Sequence, residues 1–118
     1  MIETSTLFGL RRLAKPLKYE DGIKILERDG YKCQYCGLDA KTNFENSLIM
    51  SVDFIHPRAR KGKNHSSNLV AACRPCNIIK GERVFADLYA AKEFVLKRRE
   101  ELKKEWESTT AQAKSAKA

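Results

Sequence analysis

Four cysteines carry the clearest chemistry in this 118-residue chain. Cys33 and Cys36 form one CxxC pair, and Cys73 and Cys76 a second, with 36 residues between the pairs. A CxxC beside glycine or proline makes a turn that aims two sulfurs at one point. Two such turns supply a tetrahedral four-thiolate cage, which suits Zn²⁺ and leaves no position open for catalysis. The expected zinc is therefore structural. It closes a large loop in a chain whose core is small enough to need such fastening. A thioredoxin-like redox pair is the weaker reading, because it needs no second CxxC and no βαβ pattern surrounds either pair.

A second group of residues lies between the pairs. VDFIHP (52–57) combines Asp53, Phe54, His56 and Pro57, and it runs into RARKGK (58–63). The formal net charge of the chain is +8, and the segment from Asp53 to Arg83 alone carries +5. It holds Arg58, Arg60, Lys61, Lys63, Arg74, Lys80 and Arg83, both histidines (His56 and His65) and two of the cysteines. Positive charge and reactive side chains coincide, which favours a polyanionic partner.

The elements that must position these residues follow from patterning. Residues 1–18 read as an arm. A short helix is expected over 19–29, with Ile23, Ile25 and Leu26 as its apolar side and Asp29-Gly30 ending it. Residues 38–47 read as a loop. LIMSVDFI (48–55) is the best strand candidate, closed by Pro57. A flexible basic loop (58–67) precedes the short apolar run NLVAA (68–72). From about Ala86 to Glu107 the sequence is helical, with Phe85, Leu88, Tyr89, Val95, Leu102 and Trp106 on one face. One domain then spans 19–107, and 108–118 read as a disordered tail. There is no apolar run of membrane-spanning length, and MIETSTLFGLRRLAKP lacks a signal-peptide core, so a cytoplasmic, non-membrane protein is expected.

Taken together, RDGYKCQYCG, SVDFIHPRARKGK and SNLVAACRPCNIIKGER resemble the zinc-knuckle branch of the HNH endonucleases over residues 27–83. The resemblance implies an α+β fold of the ββα-metal type: a hairpin and a helix gripping a divalent cation, stapled by the four-cysteine zinc and followed by the long helix. It implies Mg²⁺ or another divalent cation on Asp53 and Asn77. Asn68 would orient the general base or lock the loop. The expected activity is metal-dependent hydrolysis of phosphodiesters, in DNA that is most readily double-stranded. Arg58, Arg60, Lys61, Lys63 and Lys80 would meet phosphates. The alternative is a degenerate module that binds nucleic acid without cleaving it. The family places its general-base histidine directly after the aspartate, where this chain has Phe54. If position 56 faces the same side as position 54, as strand alternation would have it, His56 is the substitute base. His65 is a loop residue or substrate contact. A partner protein or a second copy of the chain is left open.

Overall fold

The computed structural model describes residues 18–117, with side chains through Ala113. Lys18 aside, the expected arm lies outside the described residues. The first element is helix α1, Tyr19–Arg28. Glu20 and Asp21 in its first turn and Arg28 in its last match the helix dipole. Its end is set by Asp29-Gly30-Tyr31, where Gly30 (φ 66°) and Tyr31 (φ 58°) turn left-handed and the Tyr31 N–H bonds Leu26 O at 2.8 Å. Ile25 and Leu26 are buried as expected, while Ile23 packs at the core's margin.

The first knuckle follows as a miniature hairpin. The Cys33 N–H donates to Leu38 O and the Gly37 N–H to Cys33 O, each at 2.9 Å. Gly37 sits at φ 83°, where a side chain would be strained. Part of the expected loop 38–47 is helical instead: α2, Phe44–Leu48, starts because the Asn43 side chain accepts the Asn46 N–H at 2.8 Å.

Strand β1 is Met50–Phe54 and strand β2 is Leu69–Cys73. They pair antiparallel in the register Met50↔Cys73 through Phe54↔Leu69. Every residue of both strands is buried, because α1, the knuckle and the following helices cover both faces. The outer edge of β2 is also capped. The Asp29 carboxylate accepts the Ala71 N–H at 2.8 Å, and Ala71 O accepts the Gln34 N–H at 2.9 Å. Arg28 holds Asp29 in place and reaches the carbonyls of Ser66 and Leu69.

Cys73 opens helix α3, Arg74–Lys80, with Pro75 in its first turn, where a missing N–H costs nothing. The last element is α4, Leu88–Lys117. It runs through 108–117, where the sequence reads as a tail. Ala91 and Val95 bury it against the body, and Arg83 stacks on Phe94, its guanidinium carbon 4.7 Å from the ring centroid. The expected apolar face is shorter than its pattern suggests, since Tyr89 and Trp106 are 75% and 62% exposed. The α+β class and the small two-stranded sheet agree with the expectation.

Candidate functional site

The two knuckles meet. The four cysteine sulfurs all lie within 4.8 Å of one another, and Cys36 Sγ stands 3.7 Å from Cys73 Sγ. A tetrahedral Zn²⁺ with Zn–S near 2.3 Å sets its sulfurs about 3.8 Å apart, so the cluster fits that ion. As thiols the four compete for protons. Hydrogen bonds from Cys36, Cys73 and Cys76 pull Cys33 down, and Cys33 in turn pushes Cys73 and Cys76 up. A bound cation removes that conflict by letting all four ionise. Arg99, from α4, donates to Cys76 Sγ at 3.5 Å. Burial works against its charge, but the nearby sulfurs outweigh that and raise its pKa.

Asp53, on β1, meets the last residue of α3, Lys80. Asp53 is 5% exposed. Its Oδ2 accepts the Tyr35 hydroxyl at 2.5 Å and lies 3.5 Å from Lys80 Nζ. Lys80 is wholly buried and also donates to Phe54 O at 2.9 Å. Burial raises Asp53 and lowers Lys80, in both cases against the pull of the partner. Burial, then the Asp53 charge, also raises Tyr35. The three groups satisfy one another inside the protein. The expectation that Lys80 meets a phosphate is corrected here: its ammonium never reaches the surface.

Phe54 is 4% exposed and belongs to the core, with Arg58 over its ring at 5.7 Å. His56 is not part of β1, which ends at Phe54. Strand alternation therefore does not orient it. Its Nε2 pairs with the Arg60 carbonyl at 2.6 Å, which makes Nε2 the protonated nitrogen. Asn68 clamps this bend: Oδ1 accepts the His56 N–H, and Nδ2 donates to the carbonyls of His56 and Lys63. The loop 58–67, read as flexible, is tightly built. It carries 3₁₀ turns at Arg58–Arg60 and Ser66–Asn68, and a Cβ on Gly62 would collide with the His56 carbonyl. His65 caps the second turn by accepting the Ser67 N–H. Arg60, Lys61 and Lys63 are exposed. An open cleft of about 520 Å³ is lined by His56, Lys61, Gly62, Lys63, His65 and Asn68, with Ser67. A second cleft, also lined by His56, extends from Arg28 to Leu88. Neither is lined by Asp53 or Asn77. Asn77 is half-buried on α3, directly after Cys76.

This order of knuckle, β1, clamped loop, β2, knuckle and helix also stands out in comparison with known proteins. Residues 33–83 match the sequence model of the family described as HNH endonuclease. The segment is similar to an HNH domain. The chain is 42% identical over 62 residues to the CRISPR-associated endonuclease Cas9 of Corynebacterium diphtheriae, covering 52% of this chain and 5% of that protein. It is 40% identical over 62 residues to the SPbeta prophage-derived YoqL of Bacillus subtilis, whose name places it among the HNH endonucleases, covering 49% of this chain and 26% of that protein. The chain thus spans about a quarter or less of the length of these relatives. No solved structure matches it.

An HNH domain is associated with a hard divalent cation, which requires open oxygen ligands and retains several waters. Asp53 does not offer that here. Its carboxylate is sealed from water, and a buried ammonium sits beside the oxygen the ion would use. The donor set fits zinc at the cysteines and does not fit Mg²⁺ at Asp53 as built.

Patterning of the HNH segment missed three features. Tyr35 sits inside the first CxxC, so its only signal is an aromatic between two ligands. Arg99 lies far along α4, in a charged run with no visible target. The Arg28–Asp29 brace reads as a helix end and nothing more.

Two outcomes follow. Purified protein should contain one zinc per chain. Removing it with a strong chelator, or replacing Cys73 with Ser, should abolish the cooperative thermal transition seen by circular dichroism. A metal-free chain that melts unchanged would rule out the structural role. Lys80→Met should destabilise by about 3–5 kcal/mol, because it leaves a buried carboxylate unpaired. Adding Asp53→Asn should recover most of that loss in denaturant titrations, and strictly additive losses would contradict the pairing.

Proposed function

We propose that the chain binds the sugar–phosphate backbone of nucleic acid, with double-stranded DNA the first candidate, and that its HNH domain carries no working hydrolytic centre. The observation behind this reading is the state of Asp53. The carboxylate that would hold the cation is buried and ion-paired to Lys80. Hydrolysis of a phosphodiester needs an activated water and a Lewis acid at the scissile phosphate. In this chain the residue after Asp53 is a core phenylalanine, which can neither take a proton nor bind a metal.

Binding needs less. Exposed Lys61 and Lys63 line an open cleft, with exposed Arg60 on the same loop, which Asn68 and Gly62 hold in one shape. Arg58, in the same loop, is half-buried over Phe54. A rigid basic loop loses little entropy on meeting a polyanion. Contacts of this kind read the backbone and not the bases.

A second reading is a metal-dependent nuclease with His56 as the base. Its support is the fixed His56 backbone and the direction of its ring. With Nε2–H donated to Arg60 O, Nδ1 is the nitrogen that remains to accept a proton. The names of the matched relatives point the same way. This reading requires Asp53 to part from Lys80 before any cation binds.

Plasmid relaxation and mobility-shift assays separate the two. The zinc-loaded protein should shift duplex DNA, and log K should fall against log salt with a slope near about −4, for about four phosphate contacts. Lys61→Gln and Lys63→Gln should each flatten that slope by about one unit. No nicking above background should appear with Mg²⁺ or Mn²⁺. Phe54→His alone should not restore it, because Asp53 stays paired. Metal-dependent nicking that disappears in His56→Ala would establish the second reading instead.

A further inference from the structure

Cys36 differs from the other three cysteines in that solvent reaches it. Cys33, Cys73 and Cys76 are 2%, 1% and 0% exposed, whereas Cys36 is half-buried. It lines an open groove of about 710 Å³ that also touches Gly37 and Leu38 of the first knuckle and Arg99 and Lys103 of α4. A small solute thus has a path to one sulfur of the cluster. A thiolate is the nucleophilic form of cysteine, and access then decides which one reacts.

A second sulfur stands at contact distance, in the other knuckle. Cys73 Sγ lies 3.7 Å from Cys36 Sγ. The remaining two are occupied elsewhere. Cys76 has no exposed surface, and its sulfur accepts a hydrogen bond from Arg99. Cys33 is buried within the knuckle hairpin, where its sulfur accepts the Cys36 N–H at 3.4 Å.

We propose that Cys36 is the oxidation site of the cluster, with a hydroperoxide as the oxidant and a Cys36–Cys73 disulfide as the product. The Cys36 thiolate attacks one peroxide oxygen. An S–O bond forms and the O–O bond breaks, leaving a sulfenic acid and releasing hydroxide. The Cys73 thiolate then attacks the Cys36 sulfur. The S–S bond forms, the S–O bond breaks, and a second hydroxide leaves. The two thiolates give up two electrons, and two protons from solvent turn the hydroxides into water. Cys33 and Cys76 remain as thiolates, too few for a closed tetrahedral site, so zinc is lost. A thioredoxin-like pair would link the two cysteines of one CxxC. The bond proposed here crosses between the knuckles and ties the same loop that the zinc closes. The knuckles therefore stay attached, and the change is reversible by a thiol. The proposal holds whether the domain cleaves nucleic acid or only binds it.

The zinc-loaded full chain is treated with hydrogen peroxide while a chromogenic chelator follows released zinc. The reaction is stopped at half release by alkylation. Chymotrypsin cleaves after Tyr35, which separates Cys36 from Cys33, and tandem fragmentation distinguishes Cys73 from Cys76. The expected result is one Cys36–Cys73 disulfide per zinc released, with Cys33 and Cys76 alkylated. Dithiothreitol and one equivalent of zinc should then restore the metal content. Cys36→His keeps a zinc ligand without an oxidisable sulfur, and should slow release by about tenfold or more. Cys33→His replaces a buried sulfur and should release zinc within about threefold of the parent rate. A disulfide within either CxxC, zinc release with sulfinic or sulfonic acid in place of a disulfide, or a Cys36→His chain that loses zinc at the parent rate would overturn the proposal. The mapping on the unmodified sequence decides it even where a variant fails to load zinc.

Discussion

Four sulfurs brought within 4.8 Å of one another are the constraint on which the remaining geometry depends. One pair comes from a knuckle that precedes the sheet, the other from the junction of β2 and α3. Because Cys73 ends the strand and Cys76 lies in the first turn of α3, closing the cluster fixes where that helix begins and how it is rotated. Rotation then decides where Lys80 points. It ends inside the protein, at Asp53 Oδ2 and the Phe54 carbonyl. The same closure aims Tyr35, which lies between Cys33 and Cys36, at the same carboxylate. The cysteine cluster therefore bears on the state of Asp53, through Tyr35 and Lys80.

Burying that pair is unfavourable in itself. Taking an ammonium and a carboxylate out of water costs several kcal/mol per ion before their attraction offsets it, and apolar residues of similar volume often do as well or better. The pair is stable here because its polar atoms are matched: Lys80 also bonds a carbonyl, and Asp53 also receives a hydroxyl. The open, cationic surface lies elsewhere, around the loop that Asn68 clamps. The cleft at that loop is lined by no acidic residue, and Asp53 lines neither it nor the second cleft beside His56.

Much of this was legible from residue types. The CxxC spacing gave the metal cluster, a β-branched and aromatic run gave β1 to within a few residues while β2 read only as a short apolar run, and Asn68 reads as a loop lock as well as it reads as anything else. The unread parts share one cause: they depend on which way a side chain points after tertiary packing. Lysine is rarely buried, so Lys80 reads as a surface cation until α3 is oriented. Strand alternation would carry His56 to the side of Phe54, but β1 stops before it, and the bend turns its ring to Arg60. The apolar spacing groups Tyr89 and Trp106 with the buried residues, yet Tyr89, two residues before Ala91, points away from the buried face, and Trp106 stands three turns beyond Val95. Helix α2 was signalled only by Asn43, a cap whose meaning emerges once Asn46 is helical.

The central claim is that Lys80 already satisfies Asp53, so that no hard cation binds there. Mn²⁺ binding to the zinc-loaded protein, followed by electron paramagnetic resonance, tests this most directly. The account predicts no stoichiometric Mn²⁺ site, and an unchanged free-Mn²⁺ signal in Asp53→Asn. One tightly bound Mn²⁺ per chain, lost in Asp53→Asn, would contradict it.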